Sequence, residues 1–245
     1  MKSSKEKGHH ASSAERNRSS VTRRDFIRGM TAGGAALAAA STVPFSTLAA
    51  GRPPLQEIQL FNGANLDGWD FFLVDGGVGM GEVWSVEDGI LVCKGEPNGY
   101  LYTTADYESF KLVVEWRWPE EPGNSGVLMR VAPEEVMLPS CVEAQLRSGN
   151  AGDMYGFQGF RIGGDPDRLS EISIGWSLQK IEANENEPGE WNRYEITAEG
   201  ERISVVLNGK LVNEATGCEV RPGRIGLQSE GGVIHFRKVD LTPLE

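Results

Sequence analysis

The alternation of apolar and polar side chains is the feature of this sequence that most restricts its fold. Leu112, Val114 and Trp116 would lie on one face of an extended strand, and Glu115 and Arg117 would lie on the other. The same period of two recurs in short segments along most of the chain after its first fifty residues. No convincing long segment there has the 3.6-residue period of an amphipathic helix. The pattern therefore predicts an all-β fold.

Turn-forming pairs separate the alternating segments. Asn208-Gly209 is a pair that type I′ hairpin turns prefer, and Asp88-Gly89 has the same character. Short strands with such turns indicate a jelly-roll sandwich of two antiparallel sheets, formed by a single domain over residues 51–245. The stretch Arg161–Glu190 is polar and poorly periodic, so we expect a long loop there. Of about eleven predicted strands, the clearest segments are Trp84–Val92 (a hairpin), Phe110–Trp118, Val127–Val131, Cys141–Leu146, Trp191–Ala198, Arg202–Leu207, Lys210–Glu214, Arg224–Gln228 and Val233–Leu241.

The first fifty residues have the order of parts that an export signal requires. A polar, basic segment contains the pair Arg23-Arg24, which a bulky apolar pair and another basic residue follow, as in a twin-arginine motif. An Ala- and Gly-rich stretch, Gly29–Ala40, leads to the small-residue end Thr47–Ala50. The apolar stretch is shorter than the roughly 20 residues of a membrane-spanning helix. We therefore predict a cleaved signal at residues 1–50, an exported periplasmic or extracellular protein, and no transmembrane segment in the mature chain.

Charge restricts the partners of the mature chain. Residues 1–50 carry 8 of the 24 Lys and Arg residues and 3 of the 35 Asp and Glu residues, so the remainder has a formal net charge of −16. Nucleic acids and anionic membranes bind clustered Lys and Arg residues, so this acidic balance argues against both as partners. The composition leaves the oligomeric state undetermined.

Cysteine and histidine usage excludes several kinds of site. Cys93, Cys141 and Cys218 are an odd number, so at least one thiol stays unpaired, and the sequence leaves any pairing open. Cys93 and Cys141 have apolar neighbours in predicted strands, where a thiol packs as a small hydrophobic group, so we expect no catalytic role. His235 is the one histidine after residue 50, which disfavours a His-rich metal cage and a Ser-His-Asp triad.

Polar side chains on apolar strands are the candidates for chemistry. Glu115 lies on one predicted strand, Arg130 on the next, and Glu143 and Gln145 on a third. If these strands are neighbours in one sheet, a carboxylate, a guanidinium and an amide converge on one face, with Arg130 on the same side as Leu128. Ordinary solvent-facing alternation explains the pattern equally well. The apolar neighbours of Glu143 and Gln145 favour a binding face.

A polar turn and several aromatic residues add candidates for ligand binding. Asn124 and Ser125 lie in a tight Gly-flanked turn that could present backbone N–H groups to a ligand. Tyr155, Trp176 and Trp191 are near loops or strand ends, as is Trp118, and such rings stack on the apolar faces of sugars. Core packing is the alternative for each ring, and Trp176, in the irregular stretch, is the strongest candidate for ligand contact.

An ordered set of short motifs resembles the 3-keto-disaccharide hydrolase family from about Leu60 to Pro243. The motifs are Leu60-Phe61-Asn62-Gly63, Leu66-Asp67-Gly68-Trp69, Trp84-Ser85-Val86-Glu87-Asp88-Gly89, Gly99-Tyr100-Leu101-Tyr102-Thr103, Glu115-Trp116-Arg117, Gly123-Asn124-Ser125-Gly126-Val127, Glu143-Ala144-Gln145-Leu146, Tyr155-Gly156, Gly189-Glu190-Trp191-Asn192 and Gly226-Leu227-Gln228. The resemblance implies a fold like that of concanavalin A and laminin-G domains, with a carbohydrate groove on a concave sheet. It also implies cleavage of glycosides that carry a ketone at C3.

A ketone at C3 acidifies the C2 proton, so a base can remove this proton, the C1 oxygen can leave, and water can add to the enone. This chemistry needs a base, an acid and a group that stabilises the enolate oxygen. Glu143 is the candidate acid or base, Arg130 the clamp and Gln145 an orienting donor. Asp153 and Glu115 are alternatives for a second carboxylate. A divalent metal with mainly oxygen ligands could replace Arg130.

Two alternatives remain open at this stage. Retaining hydrolysis uses two carboxylates about 5–5.5 Å apart, and the strand of Glu143 offers one. A carbohydrate-binding module without catalysis would have the same fold, signal and aromatic residues.

Overall fold

The computed structural model describes residues 55–245, which form sixteen β-strands and one four-residue helix. The predicted export signal lies outside the described residues. Among residues 55–245, no helix has the length and apolar character needed to cross a membrane. The elements, in chain order, are β1 (Ile58–Gln59), β2 (Trp69–Leu73), α1 (Met80–Val83), β3 (Trp84–Glu87), β4 (Ile90–Cys93), β5 (Gly99–Thr103), β6 (Phe110–Arg117), β7 (Gly126–Val131), β8 (Cys141–Gln145), β9 (Met154–Phe157), β10 (Leu169–Ile172), β11 (Gly175–Leu178), β12 (Asn192–Glu199), β13 (Arg202–Leu207), β14 (Lys210–Ala215), β15 (Arg224–Ser229) and β16 (Ile234–Pro243).

The strands form two antiparallel sheets of eight strands each, as the alternation predicts. The first sheet has the order β14-β13-β12-β6-β16-β4-β3, with β1 also paired to β16. The second has the order β10-β11-β9-β8-β7-β15-β5-β2. The chain therefore passes from the first sheet at β6 to the second sheet at β7, and it returns to the first sheet at β12.

The core lies between the two sheets and consists of the predicted apolar faces. Leu112, Val114 and Trp116 of the first sheet are fully buried, and so are Val127 and Val142 of the second. Trp118, proposed above as a possible ligand contact, belongs to this core and is 1% exposed. Filling the core with such large side chains supplies most of the driving force for folding.

The predicted hairpin turns are confirmed. Asp88 and Gly89 both have positive φ angles, 50° and 79°, between β3 and β4. Asn208 and Gly209, with φ angles of 49° and 82°, connect β13 to β14 in the same way. Two consecutive positive φ angles define the type I′ turn. These turn signals are local, so the sequence alone identifies the two hairpins.

The stretch 161–190 is not the featureless loop that the sequence predicts. It contains β10 and β11, which pair with each other and extend the second sheet beyond β9. Both strands are four residues long, and β10, the edge strand, is mostly exposed, so neither shows the alternation that identifies longer central strands. The remaining differences in strand number come from short strands such as β1 and β9.

Candidate functional site

The second sheet has a face that points away from the first sheet, here called the outer face. Val142 and Ala144 of β8 pack into the core, so Cys141, Glu143 and Gln145 point to the outer face. A separate apolar cluster covers much of this face, and it consists of Tyr100, Tyr102, Leu128, Val131, Cys141 and Phe157. The outer face therefore combines buried aromatic residues with the carboxyl group of Glu143.

Glu143 is the most unusual residue of the outer face. Its side chain is 1% exposed, and its Oε1 atom has no hydrogen-bond partner among residues 55–245. Leu128 and Tyr155 are its register neighbours on the flanking strands. Burial, together with the charge of Glu230, raises the pKa of Glu143 well above its ordinary value. The carboxyl group therefore keeps its proton to a higher pH than a solvated glutamate.

Gly126 provides the space that the Glu143 side chain occupies. A Cβ atom at position 126 would overlap Oε1 of Glu143 and would come within 2.6 Å of its Cδ atom. The Glu143 side chain therefore lies across the β7 backbone at Gly126, where any other residue would displace it. Gly126, the second glycine of the Gly123–Gly126 turn motif, thus leaves the room that the Glu143 carboxyl group needs.

Gln228 supplies a second buried polar group on the same face. It is 1% exposed on β15, its Oε1 atom has no partner among the described residues, and Tyr100 is its register neighbour. The Ser125 hydroxyl donates to the Gln228 backbone carbonyl at 2.7 Å. Oδ1 of Asn124 is also buried without a partner in the described chain. Unsatisfied buried acceptors are costly, and a bound ligand with hydroxyl groups would satisfy them.

Glu230 is a carboxylate that the sequence analysis did not identify. It directly follows β15, and burial raises its pKa while the charge of Arg147 opposes that rise. The charge of Glu230 in turn raises the pKa of Glu143. Both carboxyl groups thus keep their protons to a higher pH than a solvated glutamate, and Glu143 is the more deeply buried of the two. Two carboxyl groups with different environments are the arrangement from which an acid and a base are built.

Tyr155 lies directly beside Glu143. Its ring stacks on Phe157 with centroids 5.7 Å apart and planes 11° apart, and its side chain is half-buried. Burial and the nearby Asp153 and Glu143 carboxyl groups raise the pKa of Tyr155, so the phenol stays neutral and available as a donor. A partly exposed aromatic ring beside a carboxyl group can hold the apolar face of a sugar.

Gln145 and Asp153 stabilise the connection between β8 and β9. Gln145 Oε1 accepts from the backbone N–H groups of Leu146 and Arg147 at 2.9 and 2.8 Å. Asp153 Oδ1 accepts from the backbone N–H of Lys180 at 2.8 Å and lies 3.6 Å from its Nζ atom. Both side chains thus have partners, and that of Gln145 fixes the turn that carries Arg147.

Arg130 does not share a face with Leu128, contrary to the prediction from alternation. Its φ angle is +53°, and the pairing of β15 with β7 shifts register at this point, so a β-bulge turns the side chain aside. The buried guanidinium donates to the backbone carbonyls of Glu108, Gly200 and Glu219. Arg130 therefore connects three chain segments through hydrogen bonds and is not placed beside Glu143.

Glu115 and Trp191 are also separated from Glu143, because β6 belongs to the first sheet. Burial raises the pKa of Glu115, but hydrogen bonds from Arg237 and Arg193 at 2.6 and 2.7 Å outweigh burial and lower it. The ring of Trp191 lies between the guanidinium groups of Arg117 and Arg237, at 4.6 and 4.4 Å from its centroid. The predicted convergence of Glu115 with Glu143 is therefore wrong.

Trp176 lies on β11 rather than in a loop. It pairs with Gly156, shares a face of the strand with the buried Leu178, and packs against the main core. Its neighbour Ser177 pairs with Tyr155 and faces the outer side. The structure therefore places Trp176 on the opposite side of the sheet from Tyr155 and Glu143.

The described residues contain no ready-made metal centre. Within residues 55–245, no three His, Cys, Asp or Glu side chains gather in a way that could hold a metal ion. Cys93, Cys141 and Cys218 are all buried as free thiols. Burial raises the pKa of Cys141 well above its ordinary value, which keeps this thiol protonated and unreactive.

Comparison with solved structures identifies the fold. A Parabacteroides distasonis protein assigned by inference to the glycosyl hydrolases superposes with a TM-score of 0.58 at 21% identity, covering 77% of this chain and 94% of that one. A β-1,3-1,4-glucanase (lichenase) from a mouse hindgut metagenome superposes with a TM-score of 0.53 at 12% identity, and the match covers 77% of this chain and 99% of that one. The carbohydrate-binding module CBM66 of Bacillus subtilis superposes with a TM-score of 0.50 at 13% identity, and the match covers 71% of this chain and 95% of that one. The fold is thus the concanavalin A-like jelly-roll sandwich.

Sequence comparison identifies the family. No curated protein matches the chain significantly. Residues 56–242, which include both sheets and every outer-face residue described above, match the 3-keto-α-glucoside-1,2-lyase-like domain. This agrees with the resemblance that the ordered motifs indicate. The chain therefore belongs to the family of 3-keto-α-glucoside-1,2-lyase-like domains.

Proposed function

We propose that the protein cleaves glycosides whose sugar carries a ketone at C3, by elimination followed by hydration. The observation that supports this most strongly is the buried, unpartnered carboxyl group of Glu143 on the outer face. Such a group is poised to give a proton to a leaving group. The family name describes lyase chemistry on 3-keto-α-glucosides, and the proposal carries that chemistry to this chain.

In the proposed reaction, the two carboxyl groups have complementary roles. Ionised Glu230 removes the proton from C2, which the C3 ketone acidifies, and the electron pair forms the enolate. The enolate then expels the glycosidic oxygen from C1, and Glu143 donates its proton to that oxygen. The products of this step are an enone and the free alcohol.

Hydration completes the reaction with the same groups in reversed roles. Glu143, now a carboxylate, takes a proton from water as the oxygen of that water bonds to C1. Glu230 returns a proton to C2, which restores the C3 ketone. The net reaction consumes one water molecule and regenerates both carboxyl groups in their starting states.

The neighbouring residues supply binding and charge stabilisation in this proposal. Arg147, which lowers the pKa of Glu230, provides positive charge near the enolate oxygen. Gln228 and Asn124 accept hydrogen bonds from sugar hydroxyl groups through their buried, unsatisfied oxygens. Tyr155 holds the apolar face of the ring. Electrostatic stabilisation of this kind is commonly the largest contribution to an enzymatic rate.

The test compares variants of the two carboxyl groups on a 3-keto-disaccharide. We expect Glu143→Gln and Glu230→Gln each to lower kcat by about 10²–10⁴, the usual cost of losing a general acid or base. Glu199→Gln is the matched control, since Glu199 is exposed on the first sheet. Equal activity of all three variants would contradict the assignment. Tight binding of the sugar by the wild type without turnover would instead indicate a carbohydrate-binding module.

A further inference from the structure

A cavity of about 740 Å³ lies under the segment that connects β7 to β8. This segment, residues 132–140, is called here the β7–β8 loop. Five loop residues give the cavity an apolar wall: Ala132, Pro133, Val136, Met137 and Leu138. The proposed reaction does not use this cavity.

The β7–β8 loop is attached to the same sheet that carries Glu143. The Tyr102 hydroxyl donates to Oε1 of Glu135 at 2.8 Å, and the Ala132 N–H donates to the Ser140 carbonyl at 2.9 Å. Leu138 packs against the apolar cluster of the outer face. The wall of the cavity is therefore held in a defined place relative to β5 and β8.

The cavity is within reach of a substrate bound at Glu143. Ser140, which lines the cavity, lies three residues before Glu143, a distance of about 10 Å along an extended strand. Cys141 is the outer-face residue between them, and its register neighbour Phe157 lies immediately before Gln158, another residue of the cavity lining. The cavity and Glu143 are thus separated by about the length of one or two sugar rings, with the apolar residues Cys141 and Phe157 between them.

The lining is chemically wrong for a second sugar. Sugars are recognised by several convergent hydrogen-bonding groups, whereas here the loop contributes mainly aliphatic side chains. The charged residues of the lining are Glu134 and Arg221. The Arg221 guanidinium already donates to the Ser140 carbonyl at 2.7 Å and lies over the Phe160 ring. Such a cavity favours an apolar occupant.

We propose that this cavity binds the leaving group of the substrate and selects glycosides with an apolar alkyl or aryl aglycone. The inference rests on the proposed function, because it assigns the leaving-group side of the same site. Its specific content is the chemical class of the aglycone. The 3-keto sugar then lies at Glu143 and Tyr155, and the aglycone extends along β8 towards the β7–β8 loop.

The test compares 4-nitrophenyl 3-keto-α-glucoside with a 3-keto-disaccharide as substrates. Because 4-nitrophenol is also the better leaving group and raises kcat by itself, the readout is KM. We expect a KM at least about tenfold lower for the nitrophenyl glycoside, since burial of a small apolar group is worth about 1.5 kcal/mol or more. Val136→Ser removes part of the apolar wall at a residue that is 47% exposed, so folding is preserved. This variant should lose most of the preference by a rise in KM for the nitrophenyl substrate alone. Val74→Ser, at a 54% exposed valine outside the cavity, is the control.

The outcomes separate this inference from the proposed function. Equal KM for both substrates, or a KM preference that Val136→Ser leaves unchanged, would overturn the aglycone site while the proposed cleavage stands. If neither substrate is turned over, the proposed function fails. Binding of 4-nitrophenol then tests whether the cavity is an apolar ligand site. Saturable binding by the wild type that a Val136→Asp substitution weakens would support an apolar ligand site, and absence of binding would overturn it.

Discussion

At the scale of residues, the site depends on how one carboxyl group is accommodated. Glu143 lies over the backbone of Gly126, with Leu128 and Tyr155 on its two sides. Burial without a partner disfavours the charged form, so the Glu143 carboxyl group keeps its proton to a higher pH than a solvated glutamate does. The stability of this arrangement should therefore depend on both steric space and pH.

Gly126→Ala tests whether the Glu143 carboxyl group needs the space beside Gly126. The new methyl group would overlap the Glu143 carboxyl group, which must then move, while the backbone of Gly126 needs no left-handed conformation. We expect activity to fall at least about tenfold, with a loss of stability of about 1–3 kcal/mol from overpacking. Gly81→Ala is the control, because a Cβ atom at Gly81 would meet nothing within 4 Å. Unchanged activity of Gly126→Ala would show that the position of the Glu143 carboxyl group is unimportant.

A comparison of Glu143→Gln with the wild type tests the protonation state. Because the folded-state pKa of Glu143 is raised above its ordinary value of 4.5, the folded protein binds more protons than the unfolded chain above that pH. The wild type should therefore lose stability as pH rises from about 4.5, whereas the glutamine variant lacks this loss. Melting temperatures measured between pH 4.5 and 8 should diverge in favour of the variant. Parallel curves would contradict a buried neutral acid.

The sequence predicts some of these residues and misses others for physical reasons. Glu143 stands out because apolar residues flank it, which indicates burial. Glu230 lies in the segment Ser229–Gly232, which has the composition of an ordinary turn, and its role depends on contact with residues distant in sequence. Arg130 was assigned to the wrong face because a bulge with positive φ leaves no trace in the alternation.

At the scale of elements, local signals determine strands and hairpins but not the sheet to which each strand belongs. The alternation of β6 is correct, yet β6 pairs with β12 and β16, which follow it by more than seventy residues. Such pairing depends on long-range packing, so the sequence could not show that Glu115 and Glu143 lie in different layers. The sequence does not predict the pair β10–β11, because these two four-residue strands contain only one fully buried side chain, that of Leu178.

Arg130 connects elements, and Arg130→Lys tests this role. The guanidinium reaches carbonyl groups in three segments, and a lysine ammonium can satisfy fewer of them with the same geometry. We expect a loss of about 3 kcal/mol, which corresponds to a fall in Tm on the order of 5–10 °C. Activity below the transition should be retained. Arg202→Lys, at an exposed ion pair with Glu214, is the control and should change stability little. Lost activity at an unchanged Tm would instead favour the clamp role.

At the scale of the whole molecule, we propose that the chain works outside the cytoplasm. The proposal rests on the order of parts in residues 1–50, which includes Arg23 and Arg24. Replacing both arginines with lysine should block export, because the twin-arginine pathway recognises this pair. The measurement is the distribution of the protein between cytoplasm and exterior. Continued export of the double variant with an N-terminus near Gly51 would contradict the twin-arginine route.

The reaction that we propose on the outer face of the second sheet leaves a distinctive isotopic record in its product. Elimination transfers the C2 proton to Glu230, and the half-buried Glu230 carboxyl group exchanges that proton with solvent before it returns one to C2. A 3-keto-disaccharide treated with the mature protein in D₂O should therefore release a 3-keto sugar with deuterium at C2, and the unoxidised disaccharide should release nothing. The released sugar incubated alone in D₂O controls for spontaneous exchange. Release of a sugar that retains its original C2 proton would contradict elimination and favour direct hydrolysis.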